Sequence, residues 1–546
     1  MKFQKHSLYF LVLNILLLVY ACSDVDKSNS VNFFRYNEDA GISTLDPAFV
    51  RSQAENWVCS QIYEGLVTLD TDLKIIPCIA KGWNIDSSGK RYTFYLKSNV
   101  GFINSDGKTV RNVTASDFIY SFQRLIDPKT ASPGAWVLND KLDFESQTPP
   151  LWAANDTTLI INLAKPFAPF LSLLAMPYCY VVNPDIVENG DSEWTQKSGG
   201  TGPFFLKNRQ DEVRIILHKN TSYHEQDKGV PLPYLQGVVI DLNQNKQSAF
   251  MDFIAGKYDF FNGITPLVKD ELLTKQGTLK ERYQNQFTLH TSPFLNTEFL
   301  GFNLKHPPQG MPNKSYKILR KALNLATHRE EMITFLRNGM GAPSYMGFVP
   351  LGIKAFDSIR APLFTENISK AQHMMQSLGY HNKNRLPLTL HTTSDYTDIA
   401  VLLQNQWKVI YVDLDIQIHP GSYLRQLRNQ GNVTLYRGSW IADYPDPENF
   451  LACFYSPFAY PNGPNYTQYN NPLADSLYRV ASKEQSNSQR MLQLEAMNRI
   501  VTEDFPVVFL YYDRSIRLLS KEVQNMSDNA MNSLQLKKVY KKKNSP

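Results

Sequence analysis

Leu388-Thr389-Leu390-His391, Asp398 to Tyr411, Ile416-Gln417-Ile418, a helical turn near Tyr423 to Asn429, and Val433 to Trp440 follow one another in the second half of the chain. The apolar spacing alternates between the period of a strand and that of a helix. A β-α-β-α-β succession reads as an α/β unit with a parallel sheet. Upstream, Tyr316 to Asn338 predicts a helix closed by Gly339, and Ser369 to Leu378 another closed by Gly379. Downstream, Pro506 to Tyr512 predicts a strand that leads back to the first half. A chain that leaves one body, builds a second and returns makes two lobes joined by two crossing strands. Such a hinge supports opening and closing around a ligand.

The first half mixes strands and helices without a repeat. Arg91 to Leu96, Thr158 to Leu163, Val213 to Leu217 and Val238 to Leu242 are β-rich runs. Thr114-Ala115-Ser116-Asp117 has the spacing of a capping box. Phe118, Ile119, Phe122, Leu125 and Ile126 then share one helical face, and Asp127-Pro128 ends the helix.

The chain has 546 residues, 43% hydrophobic and 20% charged, enough for several domain-sized units with large cores and too apolar for wholesale disorder. Of the net charge of +5, seven positive charges lie at the ends: Lys2 and Lys5 in a leader, and Lys537, Lys538, Lys541, Lys542 and Lys543 in a C-terminal tail. The remaining body carries −2, and nothing in it calls for nucleic acid as partner. The basic tail reads as a solvated end.

Residues 1–21 have the form of an export signal: a positive start, an apolar run from Leu8 to Val19 interrupted only by Asn14, and the small Ala21 before Cys22. Val19-Tyr20-Ala21-Cys22 resembles the lipobox of bacterial lipoproteins, with Tyr20 bulkier than the usual residue. That resemblance implies lipidation at Cys22 and a membrane anchor; an ordinary secretory signal with an incidental cysteine is the alternative. Residues 22–30 read as a tether. Cys59, Cys78, Cys179 and Cys453 show no metal-ligand spacing and are either paired or buried as free thiols.

The usual catalytic motifs are missing: no H-E-x-x-H, no phosphate-binding G-x-x-x-x-G-K-[ST], no G-x-S-x-G elbow. The histidines are scattered without zinc-like spacing. The balance moves from enzyme to binding protein, with no catalytic residue, metal or cofactor expected.

Several stretches carry a family resemblance. They are Ser43-Thr44-Leu45-Asp46-Pro47, Gln61 to Val67, Ala80-Lys81-Gly82-Trp83, Val113 to Phe118 with Ser121 and Arg124, Gly200-Thr201-Gly202-Pro203-Phe204, and Arg320 to Ala326 with Arg329. The last is Trp440-Ile441-Ala442-Asp443-Tyr444-Pro445-Asp446-Pro447-Glu448-Asn449-Phe450. In this order they resemble the extracytoplasmic solute-binding proteins of peptide-type ABC importers. The resemblance implies a two-lobed α/β periplasmic-binding-protein fold with a hinge. It would have a first lobe at 31–290 enlarged by a subdomain near 71–195, a second lobe at 291–510, and a return to the first lobe at 511–546. It further implies a monomer in the bacterial envelope that hands peptides to permease subunits.

By the same resemblance Asp443 stands where the family binds the ligand's amine, and Arg437 where an arginine meets the carboxylate of short peptides. Trp440 would wall a side-chain pocket. The peptide would lie as an added strand between Gly438 to Ala442 and the loop from Gly41 to Ser43. From the residues alone Asp443 could instead cap or turn its loop, Arg437 could face solvent, and Trp440 could be core. Strand alternation puts 437, 439, 441 and 443 on one face and Trp440 on the other, unless a bend intervenes. Gly41 replaces an acid that lines the cleft in the oligopeptide-binding protein, and His328 stands where the family usually has Asp. Nickel, haem or an oligosaccharide are the alternative cargoes within the family; an exported hydrolase or an adhesin is the alternative outside it.

Overall fold

The computed structural model describes residues 32–542 except 190–193, 197–198, 264–265 and 309. The leader, Cys22, the tether and Lys543 lie outside the described residues.

The largest sheet has 11 strands and runs through both lobes. Its order is Phe204–Gln210, Arg214–Lys219, Gly237–Asp241, Phe33–Asn37, Phe260–Asn262, Val507–Ser520, Phe287–Phe302, Leu435–Ile441, Leu386–Thr392 and Val412–Ile418, with Ala342–Pro343 beside Val507–Ser520. Two long antiparallel strands at its middle carry the chain between lobes. Phe287 pairs with Ser520 at one end and Gly301 with Val507 at the other. The first-lobe end is flanked by Phe260–Asn262, the second-lobe end by Leu435–Ile441. Their register breaks between Pro293, opposite Arg514, and Thr297, opposite Tyr512. Phe294, Leu295 and Asn296 therefore face Asp513 alone, and Pro293 brings no N–H to the ladder.

The strand Val507–Ser520 is rich in β-branched and aromatic residues and is buried over most of its length, which explains why it runs on well past Tyr512. In the first half a four-stranded sheet, Ala80–Ile85, Arg91–Leu96, Thr158–Asn162 and Leu151–Asn155, packs on the helix Ala115–Ile126. Asp117 accepts the Thr114 N–H at 2.8 Å, as the capping pattern predicts. Phe118, Phe122 and Leu125 are wholly buried, while Ile119 and Ile126 lie at the margin of the same core.

In the second lobe the predicted parallel unit is present, with strands longer than their apolar centres suggest: Leu386–Thr392 and Val412–Ile418 pair in parallel around the helix Thr397–Lys408. The single helix expected over Tyr316 to Asn338 is broken. Asn313–Leu325 ends, and separate turns Arg329–Glu331 and Met332–Leu336 follow. Arg329, fully buried, is the reason. Its guanidinium donates to the carbonyls of Asn324 at 3.1 Å, Thr327 at 2.9 Å and Phe509 at 2.8 Å, capping a helix end inside the lobe.

The C-terminal tail is also different from expectation. Lys537 pairs with Glu225 at 2.5 Å, Lys538 with Asp227 at 3.1 Å and Lys541 with Asp259 at 2.8 Å, and Tyr540–Lys541 pairs with Val523–Gln524. Opposite charges supplied far upstream in sequence turn a lysine run from a solvated end into a docked segment. Cys59, Cys78, Cys179 and Cys453 are buried free thiols, each with its pKa pushed up by burial.

The turn Gly200 to Phe204 needs glycine for closeness. The Gly202 N–H donates to the Ile62 carbonyl at 2.8 Å, and a Cβ on Gly200 would lie 1.9 Å from that oxygen. Gly200→Ala is therefore expected to cost about 2–3 kcal/mol of folding stability by overpacking, read as a lowered urea midpoint with unchanged m-value.

Candidate functional site

The strand Leu435–Ile441 lies beside the crossing strand Phe287–Phe302 in the large sheet. On one edge it pairs with the crossing strand, Ile441 opposite Asn296 through Leu435 opposite Phe302. The Ala442 N–H donates to the Leu295 carbonyl at 2.8 Å and the Asn303 N–H to the Thr434 carbonyl at 2.9 Å. Bonding with a period of two therefore turns the backbone groups of Arg437, Ser439 and Ile441 to the other edge. There the next strand covers only Leu435 and Tyr436. That parallel register also takes up the Arg437 N–H, so among the described residues the unpaired part of this edge begins at the Arg437 carbonyl and runs through Ser439 and Ile441. Gly438 keeps the strand close to its neighbour: a Cβ would meet the Phe299 ring at 2.6 Å. Phe299 in turn stacks edge-on against Phe348, with centroids 5.0 Å apart.

The strand stops at Ile441, and the chain turns through Asp443 to Pro447. Asp446, not Asp443, caps the helix Pro447–Leu451, accepting the Glu448 N–H at 2.9 Å, and a bidentate pair with Arg490 at 2.5 and 2.8 Å fixes it. That short helix carries Asn449 back under the strand end. Its Oδ1 accepts from the Trp440 Nε1 at 3.0 Å and from the Asp443 N–H at 3.3 Å, while its Nδ2 donates to the Asp443 carboxylate at 3.2 Å. One buried amide thus brings Trp440 and Asp443 together, and the turn after Ile441 is the bend that overrides strand alternation.

Asp443 is solvent-accessible but stands in a recess, where the protein around it raises its carboxyl pKa above 3.8. Only the Asn449 amide works in the opposite direction. Among the described residues no Lys, Arg or His lies within ion-pair distance of it. From the first lobe comes Tyr178, whose own pKa is pushed up first by burial and then by the Asp443 charge. The result is a carboxylate with solvent access and no resident counter-ion.

Arg437 is already engaged. It pairs with the buried Glu298 at 3.0 Å, its guanidinium lies 3.6 Å from the centre of the Tyr396 ring, and it donates to the Tyr396 hydroxyl. Burial raises the Glu298 pKa, with Arg437 pulling against it. Trp440 is half-buried against the core around Phe450 and Phe454. Ser43 stands in the first lobe, its hydroxyl donating to Glu55, the capping-box residue of the helix Gln53–Ile62. Gly41 takes a left-handed φ of +74° and a Cβ there would meet nothing within 4 Å.

Sequence reasoning missed Asn449, Glu298, Tyr396 and Tyr178. Asn449 lay inside the quoted motif; the others reach the site only by tertiary packing. A cavity of about 490 Å³ was also unforeseen. It lies between the helix Gln53–Ile62 and the C-terminal segment, and Asp443, Tyr444 and Pro445 form part of its wall. His328 is occupied by Glu366 at 2.7 Å. Glu64, His224 and Glu225 bring potential metal-ligand atoms within 4.8 Å of one another. Tyr223 and His224 already occupy Glu64, at 2.6 and 2.9 Å, and Lys537 occupies Glu225. The two carboxylates of the trio are thus taken up by protein donors, with a lysine as cation, while the buried His224 Nδ1 has no hydrogen-bond partner.

The two-lobed α/β architecture and the uncompensated carboxylate beside an unpaired strand edge can be set against known proteins. The model of the family described as "Bacterial extracellular solute-binding proteins, family 5 Middle" matches residues 74–462, and the chain belongs to that family. It is 29% identical over 497 residues to the periplasmic murein peptide-binding protein MppA of Escherichia coli, covering 87% of each chain. Its identity to the probable deoxycholate-binding periplasmic protein YgiS of the same organism is 26%, with 90% of each covered. To the periplasmic oligopeptide-binding protein OppA of E. coli it is 27%, with 88% of this chain and 87% of that protein covered. The solved structure of MppA in its unliganded open form superposes with a TM-score of 0.78 at 26% identity, over 94% of this chain and 98% of that one. These relatives are named as binding proteins, and no described helix is long and apolar enough to cross a membrane.

Replacing Asn449 by Ala strands the Trp440 indole N–H and is expected to cost about 1–3 kcal/mol in urea unfolding. The same change removes the one hydrogen bond that lowers the Asp443 pKa. A carbon-detected NMR titration should therefore place the Asp443 carboxyl higher in the variant than in the parent chain.

Proposed function

We propose that this protein is the lipid-anchored receptor of an ABC importer that captures peptides between its lobes and delivers them to a permease. The carrying observation is Asp443, a solvent-accessible carboxylate without a counter-ion at the end of an uncovered strand edge. A peptide's ammonium needs a charged partner, because burying it unpaired costs several kcal/mol, on the order of an ion's desolvation penalty. Asp443 supplies that partner through a charge-assisted hydrogen bond. The free backbone groups of Ser439 and Ile441, with the Arg437 carbonyl, then take the peptide as an added strand, with the Gly41 to Ser43 loop on its other side. Backbone pairing ignores side chains, so the register is set at the amine end and sequence tolerance is broad. Trp440 walls a side-chain pocket. Arg437 meets the carboxylate of short peptides, a weaker anchor than Asp443 because Glu298 already neutralises part of its charge. Cys22 holds the lipid on the extracytoplasmic face, and the chain acts as a monomer without catalytic function. A bile acid, the cargo printed in the name of one relative, would bring a negative charge to this carboxylate, so the geometry favours a peptide.

Native mass spectrometry of the purified protein should release a ladder of free-amine peptides. In titrations, N-acetylated peptides should bind at least about tenfold worse than their free forms, and Asp443→Asn should lose most of that discrimination. Equal binding of blocked and free peptides by the parent chain would sink the assignment of Asp443.

Affinity should also depend on pH with a definite sign. The ionised carboxylate binds the ammonium, and without ligand its pKa is raised above 3.8. Free-amine affinity is therefore constant at neutral pH and falls as pH drops through that raised value. In Asp443→Asn the acidic fall should vanish; an unchanged profile would assign the titration to another group.

A further inference from the structure

Both ends of the described chain meet at one residue. The Tyr234 N–H donates to the Lys537 carbonyl at 3.1 Å, and the Tyr234 carbonyl accepts from the Asn32 side-chain amide at 3.1 Å. The Gln236 N–H closes the same corner on the Asn32 carbonyl at 3.0 Å. The Tyr234 ring meets the Tyr540 ring edge-on, with centroids 6.3 Å apart, and its hydroxyl donates to Asp227 at 3.0 Å. Around this corner lysines outnumber acids. Lys537, Lys538 and Lys541 cover Glu225, Asp227 and Asp259. The remaining acid is Glu522, whose carbonyl receives the Lys542 N–H at 2.9 Å. Lys228, Lys521 and Lys542 are exposed and form no ion pair among the described residues. The corner also keeps apolar surface in water. Tyr540 is 42% exposed, and Val230, in the hairpin of Gln226–Asp227 with Val230–Pro231, is 50% exposed. Covered acids, free cations and a bare tyrosine suit contact with a layer of anionic headgroups.

We propose that this corner is the membrane-contacting surface of the protein, fitted to anionic lipid headgroups. The proposal rests on the anchored-receptor reading for the lipid at Cys22 and adds a second point of attachment. Cys22 stands ten residues before Asn32 in the sequence. Ten extended residues span at most about 35 Å. That is about half the diameter expected of a compact chain of this size, too short to pass to the opposite face. A bilayer that holds Cys22 therefore lies on the side of the body that carries Asn32. Tyr234 ties the C-terminal segment to Asn32, so Lys542 and Tyr540 lie on that side too, with Lys228 and Lys521 beside them. Lysines within a Debye length of an anionic surface are drawn to it, and tyrosine rings settle at headgroup level. The lipid fixes the distance of the body from the bilayer. The lysines and the tyrosine fix its orientation, which a tether alone leaves free.

The test uses the chain from residue 22 onward, which keeps every described residue, with Cys22→Ser so that no acyl chain contributes. Its partition onto phosphatidylcholine vesicles with and without phosphatidylglycerol is measured by sedimentation. The parent chain should favour the phosphatidylglycerol vesicles by about tenfold or more, and the preference should vanish near about 1 M salt. The triple variant Lys228→Gln, Lys521→Gln, Lys542→Gln should lose about tenfold of that partition. A control with the same net charge, Lys370→Gln, Lys383→Gln, Lys408→Gln, changes three exposed lysines of the second lobe and should stay within about twofold of the parent. All six substitutions are at exposed side chains without ion pairs, so both variants keep the fold. Hydrogen exchange on the anionic vesicles should slow at residues 226–234 and 538–542. Equal partition of the parent onto both vesicles overturns the proposal. So does a control that loses as much as the triple variant, which makes net charge and not this corner the cause. Failure of the anchored reading looks different: protein recovered from its native membrane then carries no acyl mass at Cys22, while the vesicle result, obtained without acyl chains, still decides the surface.

Discussion

The antiparallel pairing of Phe287–Phe302 with Val507–Ser520 is the constraint on which the rest of the molecule depends. These strands are the shared spine of an 11-stranded sheet, and each lobe builds outward from one end of them. A continuous ladder would lock the lobes at one angle. The three residues Phe294 to Asn296 opposite Asp513 relieve that by removing regular hydrogen bonds at the crossing point. The same irregular stretch supplies the Leu295 carbonyl that receives the Ala442 N–H, so the crossing point and the end of the strand Leu435–Ile441 share a backbone bond. Asn296 also donates to Glu298, the partner of Arg437, at 3.0 Å, which ties the crossing point to that ion pair.

Around that spine the charges are unevenly distributed. Nearly every buried ionic side chain near the crevice has its partner: Arg437 with Glu298, Arg337 with Asp513 at 2.5 Å, Arg490 with Asp446. Such pairs gain little net stability after desolvation, but they remove uncompensated charge from the walls. Asp443 is left without a counter-ion against a neutralised background. The packing obeys a similar economy: Gly438 admits Phe299 and Asn449 holds Trp440 and Asp443 with a single amide.

Much of this was legible from the residues. The alternation over Leu388 to Trp440 predicted the second lobe, because a period of two or of 3.6 survives in any sequence that must bury one face. The capping spacing at Thr114 to Asp117 was realised because it depends on residues three apart. The break at Leu325 was not legible: the apolar period runs through it, and only the distant Phe509 carbonyl shows why Arg329 must turn inward. The lysines of the tail looked solvated because Glu225, Asp227 and Asp259 lie some three hundred residues away. Asp443 could be singled out, but whether it capped a loop or stood open depended on Asp446 taking the cap.

By itself the sequence determined the periods of strand and helix, the return of the chain to its first half, and the composition of the motif from Trp440 to Phe450. These are local properties, set by which neighbours within a few residues must share a face or a turn. Tertiary structure alone decided which charges were paired off and which backbone edge stayed open. Burial, ion pairing and edge coverage depend on residues brought together from hundreds of positions apart, and no local pattern encodes them.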